Sequence, residues 1–241
     1  MNRILEILVA VRDQDGDDRR EAIEALYRSV AGLAEGTRLL ADVFAASDRG
    51  DRMSLLDVFD VFCRAAGGAR DVLRGCVEGE DETLAAVAAL SLWHLGADGK
   101  ATFERLLRAL DGGSESAQFA LVGLQAMGLA AAPAAPRLER LLEATDAHVP
   151  MLAYTHWRIT GSPECAVRAL SATLDHGDRA ARISAMWQLG VMGEAAAGAV
   201  AALKRLRDGD GARDVDLGQR AGEVLYLLRH AKEVPPDVSA R

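Results

Sequence analysis

From residue 81 onward the apolar positions repeat about every 32 residues. The stretch 84–95, LAAVAALSLWHL, is apolar nearly all round and closes on Gly96. The stretch after it, FERLLRAL, is amphipathic, with Leu106 and Leu110 one helical turn apart on a single stripe. Leu138, Leu170 and Leu203 recur in matching contexts (PRLERLLEA, AVRALSATL, AVAALKRLR), and Gly128, Gly161 and Gly193 recur after the apolar segments. The pattern predicts pairs of helices joined by glycine-containing turns. Start signals agree: Asp81, Ser162 and Asp178 stand where an N-cap belongs, and Pro136, Pro150 and Pro163 stand where a first helical turn belongs. Six pairs are expected, at roughly 19–50, 51–80, 81–113, 114–146, 147–178 and 179–210.

One helix pair cannot bury its apolar face alone, so the pairs must stack on one another. The expectation is an all-α fold, a single α-solenoid over 1–231. Within it, 1–80 holds divergent repeats and an N-terminal cap, 81–210 the regular repeats, and 211–231 a C-terminal cap. Pro235-Pro236 stops helix, leaving 232–241 as a tail. The frequent alanines fit this reading, because small side chains let neighbouring helices approach closely. In such a stack Trp93, Trp157 and Trp187 are expected to fill gaps between layers.

The run 175–210, DHGDRAARISAMWQLGVMGEAAAGAVAALKRLRDGD, resembles the short HEAT-like repeat first associated with bilin lyases. The matching residues are Asp178, Arg182, Ala185, Leu189, Gly190 and Asp208. The resemblance is strongest over 175–230, looser over 81–174, and rests on periodicity alone over 13–80. It implies a right-handed superhelix whose second helices line a concave face. It does not select among uses that run from scaffolds to enzymes.

Composition narrows the chemistry. The formal net charge is −8, which argues against nucleic acid or an anionic membrane as a general partner. Half of the 36 acids but only 11 of the 28 bases fall in 1–82, so the excess of negative charge sits at that end. Three cysteines, Cys63, Cys76 and Cys165, match no disulfide or zinc spacing and fit a reduced, cytoplasmic setting. No run approaches the ~18 apolar residues of a membrane span. Deoxyhypusine hydroxylase has a similar repeat style but holds iron through His-Glu dipeptides; none occurs here, so no metal and no cofactor is expected. HEAT-like DNA glycosylases line their groove with bases and aromatics, and this acidic chain has three Trp and three Tyr. Cys165, just inside a helix start, has the position for a thiol activated by the helix dipole, although no partner for it is fixed by sequence.

With Phe103, Leu106, Leu107 and Leu110 assigned to the buried stripe, Arg105 and Arg108 are left facing outward. The same register selects Arg137, Arg140, Arg168 and Lys204. On the concave face these cations would bind an acidic or mixed-charge protein or peptide through charge-assisted hydrogen bonds. The competing account is that cations simply favour helix ends. A protein-binding scaffold is therefore the first functional expectation, with no catalytic residue assigned. The alternative is an accessory enzyme or chaperone-like factor acting on a small molecule or modified peptide, with Tyr154, His156 and Trp157 lining its pocket.

Overall fold

The computed structural model describes residues 69–230 apart from 97–98 and 145–147. The expected N-terminal cap, the pair at 19–50, the first helix of the pair at 51–80, Cys63 and the segment 231–241 lie outside the described residues. Among the described residues the chain is helical, with no strand. It divides into two compact units, Met1–Ala126 and Met127–Arg241.

In the first unit, helices α1 (Ala69–Glu78), α2 (Glu82–His94) and α3 (Gly99–Ala109) pack in succession, and α4 (Ser114–Met127) follows. Asp81 caps α2, its carboxylate accepting from the Leu84 amide at 3.0 Å. Helix α2 buries Leu84 through Ala89, as an all-round apolar segment must. Helix α4 closes on its neighbours through three specific contacts. Ser116 Oγ donates to the Ala109 carbonyl at 3.2 Å, and Trp93 Nε1 donates to the Ala126 carbonyl at 3.2 Å. Gly123 makes the third: a Cβ there would stand 2.7 Å from Leu106 Cδ2, so the buried leucine needs a glycine opposite it.

In the second unit the helices fall into two layers. First helices α6 (Val149–Thr160), α8 (Arg179–Met192) and α10 (Val215–His230) pack side by side. Second helices α5 (Ala135–Ala144), α7 (Pro163–His176) and α9 (Val200–Asp208) pair with them. The core between the layers holds Leu170, Leu174, Ala185, Met186, Leu189, Leu203 and Leu206, all buried. The alanines Ala153, Ala166, Ala185, Ala199 and Ala221 are fully buried in the same cluster.

The first helix of each described repeat ends on a glycine of positive φ: Gly96 at 63°, Gly128 at 55°, Gly161 at 74° and Gly193 at 57°. This left-handed position reverses the chain where an L side chain would meet its own carbonyl. The turns that follow are not uniform. After Gly161 the chain passes at once to Pro163 and α7, but Gly128–Ala134 and Gly193–Ala199 are 3-10 helices. Three residues per turn align Ala131 with Ala134 and Ala196 with Ala199, and all four are buried. The expectation of a plain turn missed this segment, although the three-residue alanine spacing was its signal.

One stretch, Ser114–Ala144, is long and apolar enough by length and composition to cross a membrane, contrary to the expectation that no such run exists. It comprises α4, a 3-10 helix containing Pro133, and α5. Leu121, Leu124 and Leu138 within it are buried by protein.

The glycines separate two physical effects. Substituting Gly161 with Ala meets open space but an adverse φ, and should cost about 1–2 kcal/mol in urea unfolding. Substituting Gly222, inside α10 with nothing within 4 Å of a new Cβ, should stabilise by about 0.5–1 kcal/mol.

Candidate functional site

The outward cations divide into two groups. Arg105, expected to face outward, is instead 2% exposed. Its Nη1 donates to Glu82 at 3.0 Å and its Nη2 to the Gly79 carbonyl at 3.2 Å, while Nε is buried without a partner. The reason is the packing of three helices. Gly79 follows the end of α1, where carbonyls lack helical partners, and Glu82 stands in the first turn of α2. One guanidinium on α3 serves both ends, so this residue braces the fold and is withdrawn from any binding surface. Arg108, one turn later, is exposed and outside the brace, and makes no ion pair with a carboxylate among the described residues.

In the second unit Arg140, Arg168 and Lys204 are exposed on α5, α7 and α9, and Arg137 is half-buried. Arg140 Nε donates to its own helix at the Pro136 carbonyl, 3.3 Å away, and Arg168 lies 3.9 Å from the Cys165 thiol. Among the described residues none of Arg140, Arg168 and Lys204 forms an ion pair with a carboxylate, in contrast to arginines nearby. Arg205 forms a two-pronged pair with Asp175 at 2.6 and 3.2 Å, linking α9 to α7. Arg182 donates to Asp210 at 2.6 Å and to the Asp175 carbonyl at 3.2 Å. Arg179 bridges Asp214 and Asp216 at 2.9 and 2.7 Å, tying the start of α8 to the start of α10. The Arg205 guanidinium holds the Asp175 carboxyl below its ordinary range, and Arg179 does the same for Asp214. Of the residues in the repeat signature, Asp178 caps α8 by accepting from the Ala181 amide at 2.7 Å, and Asp208 pairs with its neighbour Arg207.

Tyr154, His156 and Trp157 on α6 take separate directions. Tyr154 and Trp157 stack obliquely, 5.5 Å between centroids, and pack half-buried against the core. His156 is 4% exposed and meets Glu139 of α5 at 3.0 Å through Nε2, with Nδ1 buried and unpartnered. Cys165 does not behave as an activated thiol. Burial pushes its pKa up, and nearby Glu139 and Glu143 add to this against the opposing pull of Arg168. No cluster of three metal-ligating side chains occurs among the described residues.

Trp187 departs most from expectation. It is 62% exposed on the outer side of α8, where a gap-filling role had been expected. The indole touches Tyr154 at a centroid distance of 6.4 Å and forms one wall of a groove of about 790 Å³ between α8 and α10. Ile183, Met186, Val191, Val224 and Leu227 complete the apolar lining, with Arg220 and Glu223 among the charged residues. Period alone could not distinguish an outward tryptophan from a buried one on a helix whose apolar residues cover most of its circumference.

Comparison with known proteins finds no match to a family model, to a curated protein or to a solved structure.

The two arginines of α3 should separate in unfolding experiments. Arg105→Ala leaves Glu82 and the Gly79 carbonyl without their shared donor and should cost about 3 kcal/mol. Arg108→Ala, on the surface, should fall within about 0.5 kcal/mol of the natural chain.

Proposed function

We propose that the chain is a HEAT-like α-solenoid and that it works as a protein-binding scaffold. The second helices present Arg140, Arg168 and Lys204 to an acidic or mixed-charge protein or peptide. The observation that carries this reading is the contrast in pairing. Arg179, Arg182 and Arg205 are each neutralised by an aspartate within 3 Å, whereas among the described residues these three exposed cations form no ion pair with a carboxylate. An unpaired guanidinium keeps its fork of donors available for a carboxylate from outside. Arg137 stands beside this row, and Arg108 belongs to the same sequence register in the first unit.

Each second helix supplies little area alone, so affinity would come from an extended ligand that follows several of them. Isolated glutamate side chains would bind weakly. A run of acidic residues would gain from engaging successive cations, and its binding would weaken with salt.

The test is an array of acidic peptides probed with the natural chain and with an Arg140→Glu/Arg168→Glu/Lys204→Glu variant. The natural chain should retain a subset of peptides at low ionic strength, and the variant should lose that subset while keeping its far-ultraviolet circular dichroism. Equal retention by both chains would refute the assignment of the binding row.

A further inference from the structure

The groove between α8 and α10 is lined by two first helices, and none of the cations on the second helices lines it. Its two walls differ in chemistry. Helix α8 supplies the exposed Trp187 ring and Val191, whereas α10 supplies the exposed Leu227 together with Arg220 and Glu223. Gly190 leaves the space between them open. A Cβ there would already stand 3.9 Å from Val224 and Leu227, so any longer side chain would grow into the groove.

The two charges on the α10 wall are not equivalent. Arg220 Nε meets Asp216 at 2.9 Å, and the same carboxylate receives Arg179 at 2.7 Å. Arg179 also meets Asp214 at 2.9 Å, so in this cluster two guanidiniums are matched by two carboxylates. Glu223, one turn farther along α10, accepts from the neutral amide of Gln219 at 3.0 Å and forms no ion pair among the described residues. The groove therefore joins apolar walls and an indole to one carboxylate whose charge is not matched.

We infer that this groove binds a small amphiphilic cation, an apolar body of small-molecule size that carries one ammonium group. Charge selects the head group. A neutral apolar ligand would strip water from Glu223 and return nothing, and an anionic one would be repelled. An ammonium compensates Glu223 from one side and is attracted to the face of the Trp187 indole from the other. Size selects the class of ligand. The groove of about 790 Å³ falls within the roughly 300–1,000 Å³ of small-molecule sites. Eleven residues line it, fewer than the roughly 20–30 a side of a stable protein interface. This site is independent of the proposed acidic-partner row, because it selects the opposite charge with different helices.

Calorimetric titration of the full chain with octylammonium, 1-octanol and octanoate tests the inference, since the three share one apolar chain and differ in head group. Octylammonium should bind about tenfold tighter than octanol, and octanoate should bind weakest. Glu223→Gln keeps the shape of an exposed side chain and should erase most of the preference for octylammonium while leaving octanol unchanged. Gly190→Leu, which fills the groove, should abolish binding of all three, with circular dichroism confirming the helices. Octanol binding as tightly as octylammonium, or a preference that survives Glu223→Gln, would overturn the inference. So would the absence of binding by all three ligands. Sedimentation of the natural chain covers the other occupant: a dimer that Trp187→Glu dissolves would make a second copy the partner and would also overturn it. The acidic-peptide array reads other residues, so each result here leaves that proposal to its own test.

Discussion

A helix pair in this chain depends on one backbone position, the glycine of positive φ that ends each first helix. At Gly96, Gly128, Gly161 and Gly193 the chain enters a conformation that costs an L residue about 1–2 kcal/mol and costs glycine almost nothing. The reversal sends the second helix back beside the first. Only then can Leu106, Leu138, Leu170 and Leu203, the recurring leucines, become fully buried. Alanine supports the same geometry. Ala153, Ala166, Ala185 and Ala199 have no accessible surface, and larger side chains there would force the helices apart.

Polar contacts refine this frame at the helix ends. Asp81, Asp178 and Asp214 each accept a hydrogen bond from an amide in the first turn of a helix. Arginines then join one helix to the next: Arg105 between α1, α2 and α3, Arg179 between α8 and α10, Arg205 between α9 and α7. Their contributions differ with burial. The Arg205 pair is exposed and screened by solvent, whereas the head group of Arg105 sits where an unpaired partner would be costly. Charged residues that look alike in the sequence therefore divide into braces and free surface.

The period of about 32 residues, the helix pairs, the capping aspartates and the reversal glycines were all legible, because each leaves a local mark: a stripe, a cap residue, a glycine after an apolar run. Side-chain direction was less legible. Arg105 and Arg108 are one turn apart on an amphipathic helix. Their separate fates depend on a carbonyl at Gly79 and a carboxylate at Glu82, more than twenty residues away. Trp187 stands in a helix rich in apolar residues, and only the position of α10 decides that its ring borders a groove. The 3-10 segments after Gly128 and Gly193 were marked by alanines three residues apart, a spacing that an α-helical period also tolerates.

The central claim is that helices approach closely where the chain offers glycine, at the reversals and at facing positions such as Gly123, and methyl nuclear Overhauser spectroscopy reads that approach directly. With leucine methyls and glycine α-protons assigned, the account predicts strong cross-peaks between the Leu106 methyls and the Gly123 α-protons. It also predicts a cross-peak between a Leu227 methyl and Gly190. Absence of both, or strong contacts from the Leu106 methyls to another helix in place of Gly123, would contradict it.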